Sequence, residues 1–132
     1  MADGVSAANV ATPWLNFMNG TNTSTAPAAL WVQLHTASPG AAGTTSVSVG
    51  NATRKAATLT TSASGSAITL TGTNPSWTNG GTSETLTDIS VWSASSAGTF
   101  LWSVALSASQ AWVSTNTFTL TTLSVSISPQ AA

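Results

Sequence analysis

Apolar and polar residues alternate through most of this chain, at the period of strands that bury one face. In Leu30-Trp31-Val32-Gln33-Leu34-His35-Thr36, Leu30, Val32 and Leu34 share one side while Trp31, Gln33 and His35 share the other. Ser38-Pro39-Gly40 then stops the run, so a first strand is predicted over 28–36. A Gly-rich loop follows from Ala37 to Asn51, with a short edge strand expected at Ser46-Val47-Ser48-Val49. Residues 53–61 alternate weakly through Ala57 and Leu59, and residues 66–71 more clearly through Ile68 and Leu70. Between them Ser62-Ala63-Ser64-Gly65 reads as a hairpin connection. Gly72-Thr73-Asn74-Pro75 and Asn79-Gly80-Gly81 are turns that isolate Ser76-Trp77-Thr78.

Two later segments change parity midway. From Glu84 to Trp92, Leu86 lies on one parity and Ile89 and Val91 on the other, so a bulge near Thr87-Asp88 is required for all three to face one core. Phe100, Trp102, Val104 and Leu106 alternate cleanly, with Ser103 and Ala105 opposite. Phe118 and Leu120 are then even, whereas Leu123, Val125 and Ile127 are odd, and Thr121-Thr122 between them contains neither Gly nor Pro. A bulge or tight corner is expected there. About seven to nine short strands at this spacing predict an all-β fold, an antiparallel β-sandwich that is jelly-roll-like.

The N-terminal stretch has a different period. Val10, Trp14, Leu15, Phe17 and Met18 form a helical stripe, with Thr12-Pro13 expected to start the helix and Asn19-Gly20 to stop it. The stripe is expected to pack on the domain, the alternative being an arm that reaches a neighbouring subunit. Residues 1–27 are therefore assigned to an arm with a short helix and a polar linker, and 28–132 to the β-sandwich domain.

Composition sharpens the functional picture by exclusion. Charged residues make up 4% of the chain, against roughly 25% in an ordinary globular protein. Apolar content is 42%, with six Trp, so the chain is built to fold and not to stay disordered. A surface of Ser, Thr, Asn and Gln with net charge −1 is weakly defended against association, as suits a chain that sits among neighbours. Arg54 and Lys55 are the whole basic complement, too little to neutralise several phosphates, so no nucleic-acid partner is expected. No basic amphipathic helix, secretory signal or transmembrane span is recognisable, so no membrane partner is expected and synthesis in a cytoplasm is.

Material for catalysis is scarce. The absence of Cys excludes thiolate chemistry and disulfides, and one His with three scattered carboxylates makes no metal-ligand spacing, so no cofactor is expected. His35 lies on the polar side of its strand and reads as a hydrogen-bonded structural residue; a His35–Asp88–Ser arrangement has no nucleophile elbow to support it. Glu84 and Asp88 would be about 13 Å apart on an undistorted strand, too far for a glycosidase pair. They read instead as turn and bulge residues with Arg54 or Lys55 as possible partners. Asn19, Asn22 and Asn51 match the glycosylation pattern, as chance predicts in so hydroxyl-rich a chain. The Trp residues divide. Trp102 fits the core parity of its strand and Trp14 the helix stripe, while Trp31 and Trp92 lie opposite apolar faces and Trp77 and Trp112 near turns. Indoles so placed cover a satellite core, anchor an interface or stack on sugars. Trp14, Phe17, Met18, Trp31, Trp77, Trp92 and Trp112 are the interface candidates.

The order of these features, with Leu34-His35-Thr36-Ala37-Ser38-Pro39-Gly40, a Gly-rich loop leading to Arg54, Ile89-Ser90-Val91-Trp92 and Gly98-Thr99-Phe100-Leu101-Trp102, resembles a family of small tailed-bacteriophage virion proteins. Its members are labelled head decoration, minor tail or tail-fibre-like, and share a Leu-His-Thr-Ala-x-Pro-Gly segment. Asn51-Ala52-Thr53 and Thr121-Thr122 depart from the aromatic-plus-Gly and Gly-containing turns usual there, which leaves those two loop conformations open. The resemblance implies a non-catalytic β domain displayed on a particle. The expected function is a capsid decoration protein, a homotrimer bound to the major capsid protein on the outer head surface. The alternative is a minor tail or tail-fibre-associated protein that binds a host glycan.

Overall fold

The two parity switches are where the sheet changes course. A computed structural model describes residues 3–21, 25–60 and 67–126. Its strands are β1 (Leu30–His35), β2 (Lys55–Leu59), β3 (Ala67–Thr71), β4 (Ser76–Thr78), β5 (Glu84–Trp92), β6 (Phe100–Trp112), β7 (Thr117–Thr119) and β8 (Ser124–Ser126). Six of them form an antiparallel sheet in the order β6-β5-β1-β2-β3-β8, and β4 pairs with β7. The register of β5 on β6 shifts between Leu86 and Asp88, the expected bulge, and it brings Leu86, Ile89 and Val91 together as fully buried side chains. At the second switch β7 lies on β4 and β8 on β3, so residues 120–123 carry the chain from one sheet to the other with Leu120 and Leu123 both buried. The result is an all-β, sandwich-like fold with one short N-terminal helix.

Val32, Leu34, Leu86, Ile89 and Val91 meet Trp77, Trp112, Leu120 and Leu123 in one core. Both indoles at its far side are 1% exposed and have their N–H satisfied, Trp77 by Thr53 O at 2.7 Å and Trp112 by Asn116 O at 2.9 Å. Trp77 also packs on Phe118, the ring centroids 6.2 Å apart. Trp92 is buried as well, against Phe100. The interface candidates Trp77, Trp92 and Trp112 are therefore buried inside the chain, Trp77 and Trp112 in the core cluster and Trp92 against Phe100. Trp31 is half-buried opposite Trp92 in the β1–β5 register.

Three local expectations change. The expected edge strand at 46–49 is a single bridge, His35 to Val47, flanked by backbone bonds from Thr36 N–H to Ser46 O and from Ser48 N–H to Leu34 O, and Glu84 takes over from Ser48 onward. The helix start moves back: Ser6 caps a π-helical turn, Ala7–Ala11, by accepting from the Asn9 N–H, and this runs directly into α1 (Thr12–Met18). Thr12 thus lies inside the helical run, while Asn19 and Gly20 (φ +80°) end it as expected. Val10 packs against the core, but the large side chains of α1 do not: Pro13 and Asn16 are half-buried, whereas Leu15 is 61% exposed and Phe17 and Met18 are each 69% exposed. The arm is anchored by backbone instead, since Ser6 N–H donates to Leu101 O at 2.7 Å and Ser103 N–H to Gly4 O at 2.9 Å along the free edge of β6. The expected hairpin connection at Ser62–Gly65, Asn22 to Ser24 of the linker and Ile127 lie outside the described residues.

Leu123→Ala should cost about 2–5 kcal/mol of unfolding free energy, because it opens a cavity at the sheet-to-sheet corner. Leu15→Ala, on the exposed helix face, should stay within about 0.5 kcal/mol of the parent. Urea unfolding of both variants checks the pair.

Candidate functional site

Strands β1 and β5 are covered on both faces, and the second face is polar. Cross-strand partners share a face in an antiparallel pair, so the pairs Gln33–Ser90 and His35–Asp88, with Ser103 beside Ser90 on β6, form one polar layer. All five side chains are buried. Such groups are tolerated only when hydrogen-bonded, and the loop from Thr36 to Arg54 supplies partners to Gln33 and His35.

His35 shows how. Its Nδ1 is 2.8 Å from the Thr45 carbonyl, which can only accept, so the proton sits on Nδ1 and Nε2 accepts from the Ser90 hydroxyl at 2.7 Å. Ser90 Oγ in turn accepts the Trp92 indole N–H at 2.7 Å. Burial pushes the imidazole below its ordinary pKa, with the Thr45 bond opposing, and the ring is neutral. A Ser hydroxyl on a His nitrogen is the geometry of a nucleophile and its base. Here Ser90 and His35 are both 0% exposed, so no substrate reaches the pair. Its work is to hold the loop. The same loop closes on itself through Thr36 N–H to Ser46 O, Thr45 N–H to Pro39 O and Gly43 N–H to Gly40 O. Gly43 (φ +73°) is required there, since a Cβ would meet the Phe100 ring.

Charged residues fasten the remaining edges. Arg54 lays its guanidinium over the Trp92 ring, 3.6 Å from the centroid, and donates to Ala97 O at 2.6 Å and Ala94 O at 3.1 Å, tying the loop to the β5–β6 connection. Gln33 donates to Ala52 O at 2.9 Å. Glu84 accepts from the Ser48 hydroxyl and from the N–H groups of Val49 and Gly50, both at 3.1 Å. Glu84 thus caps a loop and does not pair with Arg54. The open conformation at Asn51-Ala52-Thr53 is settled by Asn51, whose Oδ1 accepts from Thr53 N–H at 3.0 Å while its Nδ2 donates to Thr78 O at 3.0 Å. Asn79, not singled out from sequence, plays the matching role at the other end by donating to Thr82 O and Trp112 O and accepting from Gly81 N–H. Its signal was present in Asn79-Gly80-Gly81, an Asx-turn sequence.

Asp88 is the discordant member. Burial raises its pKa above the ordinary 3.8; the Thr87 hydroxyl opposes this, and the adjacent Asp3 carboxyl adds to it. Asp3 itself accepts from Ser103 Oγ at 2.9 Å. Two carboxyls from the chain's first residues and from β5 therefore meet at the layer's edge.

Of the sequence candidates, Trp14, Phe17 and Met18 remain at the surface, together with Leu15, on one short helix. Trp14 and Phe17 border a groove of about 920 Å³ whose walls also include Pro13, Leu30, Leu101 and Trp102. Among the described residues no group of three or more His, Asp or Glu is placed to hold a metal, and no helix is long and apolar enough to cross a membrane.

Two predictions come from this layer. Because the folded pKa of Asp88 is raised, its contribution is most favourable below the unfolded value near 3.8 and is lost as pH rises through the folded value. Asp88→Asn should therefore raise the melting temperature at pH 7, with the gain shrinking as pH falls toward 4; calorimetry across pH checks this. Arg54→Lys keeps the charge but loses the planar fork and the stacking, and should cost about 1–3 kcal/mol in chemical unfolding.

The family model described as Gp80, Podophage GP4 fiber I protein gp80, matches residues 5–128. No curated protein sequence matches the chain.

Proposed function

The chain belongs to the podophage GP4 fiber I protein gp80 family, and from that premise we propose that it is a non-catalytic structural component of a podophage fibre. The family match carries this reading. It favours the fibre over the head surface, and so the copies and neighbours of a fibre over the major capsid protein as the partners. The physical character of the chain agrees. Most of its few ionisable side chains are engaged within the fold: His35 holds a loop, Arg54 stacks on Trp92 and Glu84 caps backbone N–H groups. What remains outside is almost uncharged and hydroxyl-rich, with one apolar helix, a surface suited to many weak and simultaneous contacts.

A structural role is preferred to glycan recognition because the indoles that could stack on sugar rings are mostly inside, with Trp77, Trp92, Trp102 and Trp112 all buried. The groove beside Trp14 is bordered largely by apolar side chains and offers few free donors for sugar hydroxyls.

Cryo-electron microscopy of the virion that carries this chain tests the reading. Density for the β domain is expected in the fibres. Density on the outer head surface would replace the fibre reading with capsid decoration.

A further inference from the structure

Helix α1 presents its large apolar side chains to water although an apolar groove lies beside it. Trp14 is 48% exposed, Leu15 61%, and Phe17 and Met18 69% each. With about 200 Å² for each large side chain, this helix alone leaves about 500 Å² of apolar surface uncovered. Monomers rarely expose a contiguous patch of more than a few hundred Å².

The helix has two ridges. Trp14 and Phe17, three apart, border the groove of their own chain, while Leu15 and Met18, also three apart, face away from it. The groove is also lined by Pro27, Leu30, Leu101 and Trp102. Among the described residues, one molecule thus carries an apolar helix with no cover and an apolar groove with no occupant, side by side. We propose that copies of this chain associate through α1, the helix of one copy seated by its Leu15 and Met18 ridge in the groove of another.

Area and charge argue for a second copy as the occupant. A stable interface needs about 800 Å² from each partner; the Leu15 and Met18 ridge supplies about a third of this, and when two copies exchange helices the groove wall, with Trp14 and Phe17, is covered by the neighbour's helix and brings the helix's share to more than half. No charged residue lies between Asp3 and Arg54, so the helix offers nothing to anionic lipid or to a charged peptide. Copies that meet through the same surface would bring like charges together, and a neutral surface avoids that repulsion. The mode is an apolar helix in a groove. It deepens the fibre reading, on which it rests for a setting where copies meet, but it is tested on the isolated chain.

Sedimentation velocity on the purified full chain at micromolar concentrations is the first measurement, and self-association is expected. The double variant Phe17→Ser, Met18→Ser changes side chains that are mostly exposed, so it should keep its melting temperature while association weakens by about tenfold or more. Val113→Ser, exposed but distant from the helix in sequence, should associate like the parent. The chain has no Cys, so single variants Met18→Cys and Thr99→Cys can be mixed and oxidised; a mixed disulfide dimer, which can form only between copies, is expected. A parent chain that stays monomeric, a double variant that associates unchanged, or a mixture that gives no mixed dimer would overturn the inference. Any of these with the chain still located in fibres leaves the fibre reading standing.

Discussion

Everything in this fold leans on a buried polar face. Strands β1 and β5 sit in the middle of the sheet, and only one of their faces meets the apolar core. The other carries Gln33, His35, Asp88 and Ser90, which would be costly to remove from water without partners. The loop from Thr36 to Arg54 supplies many of those partners, and in doing so acquires its own shape. Thr45 must turn its carbonyl toward His35, and Gly43 must let the backbone approach the Phe100 ring. A loop that would otherwise be a long irregular connection becomes a second layer of the structure.

This arrangement also explains how so few charges suffice. A guanidinium over an indole face, with two carbonyls in its plane, fastens two connections at once without a carboxylate partner. A carboxylate that accepts from a hydroxyl and two backbone N–H groups fixes the loop tip beside β5. Used in this way the ionisable groups are drawn inward, and the outer surface is left to Ser, Thr and the apolar helix. For a component of a repeating virion assembly the consequence is useful: neutral surfaces can meet copies of themselves without like-charge repulsion.

Strand positions were legible because they depend on local alternation. The bulge at Thr87-Asp88 was readable from Leu86, Ile89 and Val91 alone, since only a shift of parity allows all three to be buried. The corner at Thr121-Thr122 was readable for the same reason. His35 was recognisable as a hydrogen-bonded structural residue from its place on the polar side of β1, but its partners Thr45 and Ser90 were not, because they arrive from distant parts of the chain. The tryptophans misled. Trp77 and Trp112 stand near turns, which suggested surface positions, yet β4 and the end of β6 turn both rings into the core. The helix stripe misled in the opposite direction: periodicity identifies an apolar face but not whether the same chain has anything left to cover it.

The sequence by itself determined the all-β class, most strands, both parity switches, the poverty of catalytic groups and the apolar helix, because each follows from neighbours within a few residues. Only the tertiary structure decided that β1 and β5 are buried on both faces, that Glu84 caps a loop while Asp3 approaches Asp88, and that three expected surface indoles are internal. The physical reason is that burial is a property of what lies across the fold. A side chain's own segment sets the face on which it points, and distant segments decide whether that face meets protein or water.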